Sequence, residues 1–117
     1  MNQQTFVDSI RRYVRDAAVD GVLSVLTRPP GRRPEPELLD LSAWYERLSD
    51  EDKQRVRRIL SLVAHQAVFG VFAVLDGART IEEQRGPKGH FELRHISSSG
   101  EVTPIAAEGT APLHELL

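Results

Sequence analysis

The longest uninterrupted helical pattern in the chain runs from Ser49 to Gly77. Ser49 precedes three acidic residues, and both features favour a helix start, because the hydroxyl accepts a free backbone N–H and acids stabilise the positive end. Gly77 indicates the end, since glycine adopts the left-handed conformation without strain. The pattern predicts a helix over 49–76. Its expected core stripe, at 3.6-residue spacing, consists of Val56, Ile59, Leu60, Val63, Ala67, Gly70 and Val74.

The side of this helix opposite the stripe changes character along its length. It is polar as far as His65 and then aromatic, so the stretch 67–75 is apolar all round. A helix that is apolar on every side must be covered on every side, either by other elements of the chain or by a second subunit. We expect a second buried face at this end. Its interface candidates are Val68, Phe69, Phe72 and Leu75.

Two further helices are predicted before the long one. Apolar residues at helical spacing over about 5–27, with Thr5 as the cap, predict the first, and a similar pattern over about 37–48 predicts the second. The segment 28–36 between them holds four prolines, which favours a stiff, extended connector. Adjacent side chains on a helix diverge by about 100°, so either Trp44 or its neighbour Tyr45 must lie at an edge. Trp44 is therefore a further interface candidate.

The last third of the chain changes to a β pattern. A loop is predicted over 77–89, and two short strands, about 90–96 and 101–105, flank a Ser/Gly-rich turn and predict a hairpin. A lone two-stranded hairpin is marginal in water, so this one must lie on helices or pair with a partner. The tail 106–117 has mixed signals and could either dock or fray. The predicted fold is a single α+β domain over 1–117, a three-helix core with a C-terminal β-hairpin.

Composition narrows the classes of function. The formal net charge of −2 gives no global attraction to nucleic acid or anionic membranes, and acids interleave with the helical arginines, so nucleic-acid binding is not expected. The chain has no cysteine, which excludes disulfides, thiol catalysis and cysteine metal sites. Charges near the N-terminus do not suit a secretory signal, and the stretch 59–75 is short for a membrane span and contains His65. We therefore expect a cytoplasmic protein without a membrane span.

Residues that could carry chemistry are few and scattered. Ser61 and His65 share a helix face, but neither a nearby carboxylate nor an oxyanion donor supports a nucleophilic serine. The histidines lack the spacing of a metal site with three or four ligands. The glycine-bracketed loop around Lys88 could cradle a phosphate, but it precedes a strand and lacks the P-loop pattern. The remaining ligand candidates are His65, Gln66, Arg85, Lys88 and His90.

The sequence favours a non-enzymatic protein–protein interaction or assembly module, which we expect to be homodimeric and to need no cofactor. The motivation is apolar surface beyond what one amphipathic stripe requires. The alternative is a small-ligand or phosphate-binding domain, or a weakly marked enzyme, that uses the 79–90 loop.

Overall fold

A computed structural model of the chain describes residues 1–83 and 85–117. It is mainly helical with a two-stranded antiparallel hairpin near the C-terminus, which confirms the predicted α+β class. In chain order the elements are α1 (Gln3–Ile10), a π-helical segment (Arg11–Asp16), α2 (Ala17–Thr27), α3 (Pro36–Glu46), α4 (Asp50–Leu75), β1 (Leu93–Ile96), β2 (Val102–Ala106) and α5 (Leu113–Leu116). The predicted loop 77–89 includes position 84, which lies outside the described residues.

The chain divides into two compact units. Unit 1 combines Met1–Arg12 with Gln66–Leu117, and unit 2 is the continuous segment Tyr13–His65. The predicted first helix is α1, the π-helical segment and α2 in succession, and the chain passes from unit 1 to unit 2 inside the π-helical segment. Hydrophobic spacing did not predict this wider turn, because the pattern of a short π-helical segment differs little from that of an α-helix.

Capping decides where the helices begin and end. The first helix starts two residues earlier than predicted, because the side chain of Asn2, not that of Thr5, is the cap: its Oδ1 accepts the Thr5 backbone N–H at 2.8 Å. The predicted ends of the long helix are confirmed to within a residue. Ser49 Oγ accepts the Asp52 backbone N–H at 3.1 Å, and Gly77 has a φ of 76°. β1 begins at Leu93, three residues after the predicted start.

The core of unit 1 joins residues from both ends of the sequence. Its buried members come from α1, α4, β2 and α5, and they are Val7, Phe72, Ile105, Ala106 and Leu113. β2 packs on α1, so the hairpin lies on a helix, one of the arrangements expected for it. Gln3 Nε2 fixes the start of α1 by donating to the carbonyls of Ile105, at 2.8 Å, and Ala111, at 2.7 Å.

The C-terminal tail docks in this core. Leu113 is fully buried, and Arg11 Nη2 donates to the carbonyls of Leu116, at 3.1 Å, and Leu117, at 2.6 Å. Of the two alternatives left open for the tail, the structure shows docking.

Unit 2 has a much smaller core, where α2 packs against α3. Its buried residues are Val19, Leu26, Ser42 and Tyr45. The buried hydroxyl of Ser42 has a hydrogen-bond partner, because its Oγ donates to the Leu26 carbonyl at 2.6 Å. Arg57 Nη2 also forms an ion pair with Asp20 Oδ1, at 2.9 Å, within this unit.

The predicted core stripe of α4 is wrong for much of its length. Ile59, Val63 and Ala67 are exposed, whereas Phe72, on the opposite line, is 3% exposed. Gln66, one of the ligand candidates and the neighbour of Ala67 on this helix, is exposed as well. Over 67–75 the helix is apolar on all sides, so hydrophobic spacing cannot identify the side that faces inward there. At Ile59 and Val63 the spacing does mark one side, but the elements of unit 2 leave that side exposed.

By length and composition alone, α4 could cross a membrane: its most apolar 18-residue window has a mean hydropathy of 1.7, and 17% of that window is buried within the chain. One such helix is weak support for a span, since core helices of soluble proteins pass the same test.

We expect Leu113→Ala to lower the free energy of unfolding by about 2–5 kcal/mol, because it leaves a cavity among fully buried side chains. Urea unfolding followed by circular dichroism measures the loss. The matched control is Leu39→Ala, at a half-exposed position on α3, which should change stability by less than about 1 kcal/mol. Equal effects of the two substitutions would show that the tail is not part of the core.

Candidate functional site

The interface candidates at the end of α4 are largely covered by the chain itself. Phe72 is buried in the unit 1 core, and Val68 and Leu75 pack against that core. The ring of Phe69 meets the ring of His114 edge to face, with centroids 5.4 Å apart. The sequence did not decide whether the chain itself or a second subunit covers this end of α4, and the tail and the hairpin provide much of that cover. The role of these residues in partner contact stays a prediction.

Trp44, the candidate on α3, is 46% exposed, while Tyr45 beside it is buried. This is the divergence expected of adjacent helix positions. Lys53 Nζ lies 5.3 Å from the centre of the Tyr45 ring, which adds a cation–π contact to the buried aromatic. Trp44 is thus exposed in the chain, and its role in partner contact stays a prediction.

An exposed apolar surface that the sequence did not predict lies on α4 in unit 2. Ile59, Leu62 and Val63 are 61%, 61% and 60% exposed, and these three residues are named the α4 face. Leu62 was missed because it lies off the assumed stripe, although its spacing of three from Ile59 is a helical signal. Unit 2 exposes other large apolar side chains, namely Tyr13, Val14, Val22, Leu39 and Leu41.

The five ligand candidates do not form one site. In unit 2, His65 Nδ1 lies 3.2 Å from Arg15 Nη1. The other four candidates belong to unit 1 and are exposed, namely Gln66, Arg85, Lys88 and His90. Gln66 lines one surface depression, whereas Lys88 and His90 line another. His90 Nε2 is 3.6 Å from Glu92 Oε1, and both residues precede the start of β1.

The depression beside Gln66 is an apolar groove of about 540 Å³ between the second half of α4 and the segment that follows it. Its lining consists of Gln66, Ala67, Gly70, Val71, Val74, Leu75, Arg79, Ile81 and Phe91. The Arg79 guanidinium lies directly over Gly70, since a Cβ at that glycine would be 2.8 Å from Nη1. The groove therefore combines apolar walls with one cation held over a bare stretch of backbone.

An aspartate–histidine pair joins the end of α4 to α5. Asp76, whose side chain is 6% exposed, accepts two hydrogen bonds from His114 at Oδ2, from the backbone N at 2.9 Å and from Nδ1 at 2.7 Å. Such a pair can orient a catalytic base, but within residues 1–83 and 85–117 no serine or threonine hydroxyl is hydrogen-bonded to His114. Its evident action is to hold the tail on the helix.

In the described part of the chain, no group of three or more His, Asp or Glu side chains is arranged to hold a metal ion. Comparison with protein-family models, with curated proteins and with solved structures finds no match to the chain.

We expect a double-mutant cycle of Asp76→Ala and His114→Ala to show a coupling free energy of about 1–3 kcal/mol, because a charged acceptor strengthens the hydrogen bond at this nearly buried site. Urea unfolding of the wild type, both single variants and the double variant measures it. Strictly additive losses would mean that the two side chains do not stabilise each other.

Proposed function

We propose that the protein is a non-enzymatic assembly module that forms a homodimer through the α4 face. The observation that carries the proposal is the exposure of Ile59, Leu62 and Val63, each about three-fifths accessible on one stretch of helix. Single exposed apolar residues are ordinary, but contiguous apolar patches on soluble proteins mark interaction surfaces.

The small core of unit 2 supports the same proposal. Only four of its residues are buried, while most of the large exposed apolar side chains of the described chain belong to it. A unit with so little interior gains stability when its apolar surface is covered, because the free energy of transfer scales with the area removed from water.

The size of the α4 face limits the affinity that it can supply. Burying the exposed part of three aliphatic side chains from each of the two copies contributes roughly 5–11 kcal/mol in total. Micromolar affinity corresponds to about 8 kcal/mol, and association also costs rotational and translational freedom. A stable dimer must therefore recruit further exposed side chains of unit 2, for which Val14, Val22 and Trp44 are available.

A second copy of the chain is the partner that suits the α4 face best. The three side chains of the face carry no charge, so packing two copies of it together buries no charged group, and the exposed Arg58, one turn before Leu62, lies at its border. Ile59 and Leu62 are three residues apart and Ile59 and Val63 four apart, so the three side chains share one side of the helix and can pack together against a neighbouring helix. Closed two-fold dimers are also the commonest oligomers of soluble proteins. We propose a cytoplasmic location for this dimer; a chain without cysteine forms no disulfides and so does not depend on an oxidising compartment.

We expect the apparent mass in sedimentation to rise with concentration from 13.1 kDa toward twice that value. Leu62→Glu should remain at the monomer mass, since each dimer would bury a charge from both copies. The control is Ser61→Glu, which adds the same charge at an exposed polar neighbour. Circular dichroism checks that both variants keep their helices.

A wild type that stays at 13.1 kDa into the hundred-micromolar range would overturn the homodimer. The same holds if both glutamate variants dissociate equally, because the effect would then be general charge and not the α4 face.

A further inference from the structure

We propose that the apolar groove of unit 1 binds a small aliphatic monocarboxylate. The hydrocarbon tail lies along α4 between Val71 and Phe91, and the carboxylate binds the Arg79 guanidinium. All lining residues belong to unit 1, so the site is formed without the α4 face and does not depend on the proposed dimer.

The shape and chemistry of the groove match a small-molecule site. Such sites typically have volumes of about 300–1,000 Å³ and apolar walls with a few placed polar groups, and this groove measures about 540 Å³. Three large apolar side chains that line the groove are exposed to solvent, namely Val71, Ile81 and Phe91. Covering them with a ligand tail raises affinity by about fourfold for each methylene that is buried.

Arg79 gives the groove its charge preference. It is the one charged side chain in the lining, and among the described residues no carboxylate lies within ion-pair distance of it. A guanidinium presents its N–H groups as a planar fork that matches the two oxygens of a carboxylate. Gly70 allows this position, because a side chain there would meet the guanidinium.

The surroundings of Arg79 also favour an anionic head group. A hollow of about 150 Å³ adjoins the groove and shares Val74, Arg79, Ile81 and Phe91 with it. It adds the cation of Lys88 and the carboxylate of Glu82, so its lysine and arginine outnumber its single acid. One net positive charge suits a monocarboxylate better than a dianionic phosphate.

Calorimetric titration with decanoate, below its micelle concentration, tests the site. We expect one decanoate per chain, and binding of decyltrimethylammonium, whose tail is identical, at least tenfold weaker. Arg79→Gln should weaken decanoate binding about tenfold, and Arg79→Lys by less, because lysine keeps the charge but not the fork. Val71→Asp should weaken it as well, since it places an anion in the apolar wall.

Two matched control variants test whether decanoate binding depends on the groove itself. Arg85→Gln removes the same charge from an exposed neighbour outside the groove lining, and decanoate should bind it as it binds the wild type. Leu62→Glu changes the α4 face alone and should also leave the affinity for decanoate unchanged. The experiment therefore separates a wrong dimer proposal from a wrong carboxylate-site proposal. Equal binding of decanoate and the cationic probe, unchanged affinity in Arg79→Gln, or no binding of decanoate would each overturn the proposal.

Discussion

The need to cover an apolar helix organises the protein. From residue 67 to residue 75, α4 has no polar side, so every side of it gains from being covered. In unit 1 the hairpin, α1 and α5 provide cover for Phe72 and its neighbours. The described chain gives no comparable cover to the α4 face in unit 2, which consists of Ile59, Leu62 and Val63. Val71 in unit 1 is exposed in the same way. Both the proposed dimer and the proposed carboxylate site arise from this unfinished burial.

Local chemistry made the elements predictable from the sequence. Ser49 and Gly77 fix the ends of α4, prolines separate α2 from α3, and a Ser/Gly-rich turn between two short strands marks the hairpin, because each signal acts within a few residues. The facing of α4 was not predictable. Ile59 and Phe72 are similar in hydrophobicity, and only the tertiary partners of Phe72, which come from distant parts of the chain, decide that it is the buried one.

The candidate site was predictable only in part, for the same reason. The segment around 79–90 stood out as a long loop, but Arg79 acquires its role from its position over Gly70, nine residues earlier, and from the apolar wall beside it. The pairing of Asp76 with His114 joins residues 38 apart and had no signal in the spacing. Lys88 and His90, chosen by composition, lie in the smaller hollow.

The two units differ in how their residues are distributed along the chain, and this difference has a consequence for synthesis on the ribosome. Unit 2 is one continuous segment, so all of its contacts are available as soon as residue 65 has emerged. Unit 1 requires contacts such as that from Gln3 to Ala111, which span 108 positions. Long-range closure of this kind is slow and comes last. Until α5 has been synthesised, Val7 and Phe72 lack the Leu113 side chain that shares their core, so this apolar surface stays open to water for most of the synthesis of the unit.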